Sequence, residues 1–180
     1  MHAVPEHLSV DQIVALLASG ASRSLSPSVM VSQLDHALQT AALLAQEYPG
    51  DPELVAAGLV HDLGHLLPGG SDERHAAEGA AAVRPALGER VARMVALHVE
   101  AKRYLVASEG EYGARLSGDS VRSLGRQGGA LSSEEMEAFL RLESADDALV
   151  LRRADDTAKI DGLVVDGLDH WVPLLRELAG

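Results

Sequence analysis

An all-α bundle is the fold class this sequence predicts, on three observations. Ala and Leu carry the apolar content and aromatics are only 3% of the 180 residues, which suits helix–helix packing better than a sheet sandwich. Apolar residues recur at helical spacing, as at Leu34, Ala37, Leu38, Ala41, Leu44 and Ala45. No stretch makes a convincing strand, since Leu163-Val164-Val165 is too short. Hydrophobic residues make up 47% of the chain, enough for a sizeable core, and a single domain over residues 1–180 is the expectation.

The elements follow in order. Ser9 with Gln12 forms a capping-box pattern that opens a helix to about residue 19. Residues 20–28, rich in Ser and Gly and containing Pro27, predict a loop able to cover a site. The apolar stripe above belongs to a second helix over about 29–47, with His36 beside the stripe. Tyr48-Pro49-Gly50-Asp51-Pro52 ends it and starts a third helix over about 52–66. After a turn at Pro68-Gly69-Gly70-Ser71, a short Ala-rich helix over 73–83 holds His75, and Pro85 interrupts it. The next helix reaches about residue 104, with Val91, Val95 and His98 at helical spacing and Lys102 one turn later. Residues 108–130 predict an extended loop with short turns. Ser132 with Glu135 is a second capping box, opening a helix to about 142. A helix from about 144 carries Arg152, Arg153, Asp155, Asp156 and Lys159. Residues 161–169 predict a loop, and a last helix runs over about 171–178.

Composition removes several function classes. The net charge of −12 argues against a nucleic-acid backbone or an anionic membrane as main partner, so any bound anion needs a local cluster of cations. The absence of cysteine excludes disulfides, zinc–thiolate sites, iron–sulfur clusters and thiol nucleophiles. Residues 1–10 lack a basic region followed by an apolar stretch, and no run approaches a membrane span. A cytoplasmic protein is the expectation, with monomer and homodimer both open.

The chemistry is concentrated at Leu59-Val60-His61-Asp62-Leu63-Gly64-His65-Leu66, polar side chains set in an apolar run. On a helix, His61 and His65 would share one face. Burying imidazoles beside a carboxylate is costly unless something pairs with them, and a metal ion does so without sulfur. A lone buried His is more often a core residue bonded to backbone, but here a His-Asp pair accompanies further histidines spaced along the chain. His36, His61, Asp62, His75, His98 and a late Asp, either Asp155 or Asp156, form one candidate set. Six ligands exceed the usual four of zinc and suit two ions, with Asp62 as the bridge. In one arrangement His36, His61 and the late Asp hold the first ion, and His75 and His98 the second. His2, His7 and His170 read as ordinary polar residues. Lys102 and Arg152 lie about one turn from His98 and Asp155, so a metal site here would face cations suited to a phosphate or phosphonate. His65, Ser120, Ser123 and Gln127 are further candidate donors.

The order His, His-Asp, His, His, Asp resembles the HD-domain superfamily. The fuller resemblance is to its mixed-valent diiron oxygenases of organophosphonate degradation, similar in metal site to myo-inositol oxygenase. It is carried by residues 31–39, 59–66, 98–105, 123–129 and 151–159, giving a motif core of 31–159. It implies an HD-domain bundle with an internal dinuclear site. Two irons, Fe(II) and Fe(III), would be bridged by Asp62 and held by His36, His61, His75, His98 and Asp155. Asp155 is preferred because the family's ligand Asp precedes a Lys by four. His65, Lys102, Ser123, Arg152 and Gln127 match positions that hold the phosphonate, with His65 and Lys102 nearest the chemistry. The implied reaction is oxidation of a 1-hydroxyphosphonate by dioxygen, splitting the carbon–phosphorus bond into phosphate and a carboxylic acid. Ser26 and Val29 stand where characterised members carry a Tyr that coordinates iron and a Glu that recognises an amino or ammonium group. That departure implies a substrate whose other end is small, neutral or anionic. The alternative is a metal-dependent phosphohydrolase using manganese, magnesium or zinc on a phosphate ester or nucleotide. A degenerate HD domain acting only as a binding module is a third class.

Overall fold

The computed structural model describes residues 7–26 and 29–180. His2, and Pro27 and Ser28 of the expected loop, lie outside the described residues. Ten α-helices and one two-stranded sheet are present among those described, and no described helix is long and apolar enough to cross a membrane.

Helix α1 (Val10–Ser19) starts as expected, with Ser9 and Gln12 satisfying each other's backbone N–H groups. The segment after it differs from expectation. A 3-10 turn leads into β1 (Ser24–Ser26), which pairs antiparallel with β2 (Val29–Ser32). The loop is thus partly a hairpin, and the second helix begins four residues late, as α2 (Gln33–Glu47). Ser32 explains the boundary: its side chain accepts from the Asp35 N–H, and the Asp35 carboxylate accepts from the Ser32 N–H. Val29 and Val31, β-branched, fit the strand better than a helix start. Arg23 holds the hairpin base down by donating to the His65 carbonyl at 3.3 Å.

Helix α3 (Pro52–Val60), capped by Asp51, stops six residues short of its expected end. His61 and Asp62 form a turn, and residues 63–66 continue as a 3-10 turn. His61 and His65 are therefore not neighbours on one helix face. Gly64 makes the turn possible, because a Cβ there would lie 2.0 Å from the His75 carbonyl oxygen. Helix α4 (His75–Leu87) runs through Pro85 instead of breaking at it and ends at Gly88, whose φ of 88° favours glycine.

Helix α5 (Glu89–Ser108) is the longest and packs along α4 and α9 (Ala145–Thr157), while α2 lies on α3. The expected loop of 108–130 contains α6 (Tyr112–Arg115) and α7 (Gly118–Arg126). Only Ser120 of α7 is buried, so the apolar period that would have announced the helix is absent. Helix α8 (Ser133–Leu140) begins at the expected capping box of Ser132 and Glu135, and α10 (Leu168–Ala179) begins three residues early. One large core unites α1–α5, α9 and α10, and a smaller one holds Ala101, Leu131, Phe139, Ala145 and Ala148.

Candidate metal centre

Five elements bring their polar residues to one place. His36 lies in the first turn of α2, His61 just past α3, His75 at the start of α4, His98 in mid-α5 and Asp155 near the end of α9. All five are buried. Each imidazole is oriented in the same way. Nδ1–H donates to a backbone carbonyl: His36 to Ala158 at 2.6 Å, His61 to Gly58 at 2.8 Å, His75 to Asp72 at 2.9 Å and His98 to Val95 at 2.7 Å. That leaves every Nε2 with a free lone pair, the state in which imidazole binds a metal.

The four Nε2 atoms form two pairs. His36 and His61 approach to 3.1 Å, His75 and His98 to 3.0 Å. With no proton between them, lone pairs that close repel unless a cation lies between. Asp62 serves both pairs: Oδ2 is 3.7 Å from His36 and 3.5 Å from His61, and Oδ1 is 3.6 Å from each of His75 and His98. Asp155 joins the first pair, with Oδ1 3.1 Å from His36 Nε2. Two groups of metal-ligating atoms result, sharing Asp62. The donors fit two ions with a carboxylate between them.

Electrostatics agree. Burial pushes His61 down to about 4, against the pull of Asp62 and Asp155. Burial and the neighbouring His98 push His75 down to about 3. Burial acts the other way on Asp62, but the surrounding His61, His98, His65 and His75 hold the carboxyl well below its usual range. Asp155 is likewise held down, against burial, by Arg152 and Lys159. Neutral imidazoles facing ionised carboxylates are a prepared cation site.

Of the two late carboxylates, Asp155 reaches this centre and Asp156 turns to Arg152 and the Tyr112 hydroxyl. Arg152 is buried between them, with Nη1 2.7 Å from Asp155 and Nε–H donating to Asp156 at 3.2 Å, and Lys159 Nζ is 3.1 Å from Asp155. A cavity of about 330 Å³ opens beside Asp62. His65, Lys102, Ser123, Gln127 and Arg152 all line it, as do Ser26 and Val29 at the hairpin.

The HD domain sequence profile matches residues 34–159, seven-tenths of the chain. The chain belongs to the HD domain family. Two relatives place it in the family's phosphonate-oxygenase branch. One, from Gimesia maris, is named hydroxymethylphosphonate dioxygenase and is 39% identical over 150 residues, covering 78% of this chain and 74% of the relative. The other, from Leisingera caerulea, is named [1-hydroxy-2-(trimethylamino)ethyl]phosphonate dioxygenase (glycine-betaine-forming) and is 30% identical over 157 residues, covering 82% and 79%.

Within this HD domain, the cavity-lining residues differ in how they are held. Lys102 is only 3% exposed and donates to Ser123 Oγ at 2.9 Å. Burial, then repulsion from Arg152, push it down to about 8. His65 stacks on His75 with ring centroids 4.0 Å apart, and its Nε2 is 3.9 Å from Asp62. Arg152 gives most of its N–H groups to Asp155, Asp156 and Tyr112, so it orients a carboxylate at least as much as it faces the cavity. His7 and His170 are exposed, away from the centre. Three contributors escaped sequence reasoning. Asp72 accepts from His75 and Gln127 through its carbonyl, Gly64 admits the His75 backbone, and Tyr112 binds Asp156. A glycine between two histidines in an apolar run was a signal for Gly64; a backbone carbonyl such as that of Asp72 leaves none.

Proposed function

We propose that this protein is a diiron oxygenase that uses dioxygen to cleave the carbon–phosphorus bond of a small 1-hydroxyphosphonate. The observation that carries the reading is the pairing of four buried imidazoles on the two oxygens of Asp62, beside a cavity walled by buried cations. His36, His61, Asp155 and Asp62 would hold one iron, and His75, His98 and Asp62 the other. Imidazole and carboxylate donors without a thiolate suit iron, manganese and zinc alike, and the dioxygenase name of the 39% identical relative favours iron. Bound there, an iron pair would supply dioxygen activation, dioxygen itself being the oxidant.

The chain's own residues then bind and orient. Lys102 offers a charged donor to a phosphonate oxygen, with Ser123 beside it. His65 and the remaining N–H groups of Arg152 add to that anion site. The hydrocarbon end would meet Ser26 and Val29, which offer neither a phenol nor a carboxylate. A compact substrate without a cation fits, and hydroxymethylphosphonate, in the name of the 39% identical relative, is the first to test. Its reaction with one dioxygen gives formate and phosphate, a balanced four-electron oxidation.

The test is iron content and electron paramagnetic resonance on anaerobically purified protein, followed by product analysis. About two irons per chain, a coupled ferrous–ferric signal and equimolar formate, phosphate and oxygen consumption are expected. Turnover of a phosphate ester with manganese, and none of a hydroxyphosphonate with iron, would refute the proposal and favour a phosphohydrolase.

A further inference from the structure

We infer that Asp156 is a positioning residue that keeps the Arg152 guanidinium from taking both oxygens of Asp155, and so leaves one of them to the first metal ion; this rests on the diiron reading above. Asp155 divides its two oxygens. Oδ2 lies 2.7 Å from Arg152 Nη1, whereas Oδ1 lies 3.1 Å from His36 Nε2 and 3.8 Å from His61 Nε2. An isolated pair would not divide them so. A guanidinium and a carboxylate prefer two parallel hydrogen bonds, and Arg152 lies three residues before Asp155 on α9, buried with it. That two-oxygen grip would occupy Oδ1, the atom that faces the imidazoles.

Asp156 prevents the grip by taking the other edge of the fork. The Nε–H of Arg152 donates to Asp156 Oδ2 at 3.2 Å, and an Nη2–H donates to Asp156 Oδ1. Tyr112, on α6, pins this arrangement: its hydroxyl donates to Asp156 Oδ2 and accepts from Arg152 Nε–H at 3.3 Å. The guanidinium is thereby set edge-on to Asp156, with Nη1 turned to Asp155. Lys159 is shared between the same two carboxylates, its Nζ 3.1 Å from Asp155 Oδ1 and 3.8 Å from Asp156 Oδ1. Asp156 therefore also offers that ammonium a seat when a metal takes Asp155 Oδ1. Neither Asp156 nor Tyr112 lines the cavity beside Asp62; both line a second one, of about 290 Å³. Asp156 thus acts on the metal centre through the cations that flank Asp155.

The experiment is a double-mutant cycle read by iron binding instead of activity. Metal-free wild type, Asp156→Asn, Arg152→Met and the double variant are titrated anaerobically with ferrous iron against a competing chelator, and circular dichroism checks the fold of each. Asp156→Asn keeps the size of the side chain and removes the two-oxygen acceptor. It is expected to weaken binding of one iron about tenfold, the usual size of losing a group that orients a ligand, and of the other less than about threefold. In the double variant the competing fork is gone, and affinity for the weakened iron should return to within about threefold of wild type. Tyr112→Phe loosens the same fork without removing a charge. It should give a smaller loss in the same direction, and it carries the test if Asp156→Asn does not fold. Unchanged iron affinity in the single variants would overturn the assignment. A loss that persists in the double variant would make Asp156 a structural residue only, and would overturn it as well. Wild type that takes up fewer than two irons would overturn the diiron reading itself, and this assignment with it.

Discussion

Lys102 is held in the folded protein at a cost that replacement should reveal. It is almost fully buried, has only a serine hydroxyl as hydrogen-bond partner among the described residues, and faces Arg152 across the cavity. Its fall from 10.5 to about 8 corresponds to roughly 3 kcal/mol of destabilisation at neutral pH. Lys102→Met keeps the length of the side chain and removes the charge. Metal-free Lys102→Met is therefore expected to be about 3 kcal/mol more stable than wild type at pH 7 by urea denaturation, in a buffer without anions that could fill the site. The pH dependence has a definite sign. A lysine whose folded value is lowered imposes its full cost below pH 8. The cost is relieved between 8 and 10.5, because the folded chain releases its proton first. The variant's advantage should therefore shrink through that range and vanish near its upper end. The same variant should lose more than about tenfold in phosphonate affinity, since the charge that destabilises the empty site is the one the ligand uses. Equal or lower stability of the variant at pH 7, or a gain that persists unchanged at pH 10.5, would refute this reasoning.

Other perturbations follow from the same geometry. Asp62→Ala should remove both metals, because its two oxygens face the two histidine pairs; elemental analysis that still finds two irons per chain would contradict the bridge. Gly64→Ala places a Cβ 2.0 Å from the His75 carbonyl and should lower stability by about 3 kcal/mol and displace His75, read as a lower melting temperature and weakened iron binding. Arg90 ties together the starts of three helices, with Nη1 2.7 Å from Asp51 and Nε 3.0 Å from Asp147, so Arg90→Gln should cost about 2 kcal/mol in chemical denaturation while leaving metal content unchanged. Metal-free protein should lose about 3 kcal/mol on acidification from pH 8 to 5.5. The unfolded chain protonates His61 and His75 near 6.5, whereas the folded chain, with values of about 4 and 3, does not. A denaturation midpoint that stays constant over that interval would show these imidazoles to be less buried than the structure has them.

Much of the fold was legible because its signals are local. The capping boxes at Ser9 and Ser132 mark α1 and α8 to within a residue, since a cap depends on atoms three residues apart. The hairpin was not legible, because Ser24–Ser26 is too short to show an alternation and its pairing depends on a segment that follows it. The end of α3 at Val60 was missed for a different reason. Leu63 and Leu66 continue the apolar pattern, but the close approach of Gly64 to the α4 backbone takes the chain out of the α-helix. Helix α7 carried no apolar stripe because it covers a polar cavity instead of a core.

The sequence by itself determined the helical class and excluded thiolate chemistry. It also supplied the imidazoles and carboxylates from which a metal centre can be built, all of which are matters of composition and short-range spacing. Tertiary structure decided how those residues combine. It put His61 with His36 and left His65 stacked on His75, brought Asp155 and not Asp156 to the centre, and turned the Gln127 amide nitrogen to the Asp72 carbonyl. These choices join residues as far apart as 36 and 155. They depend on where helices end and how they cross, which are set by packing across the whole core and not by any window of the chain.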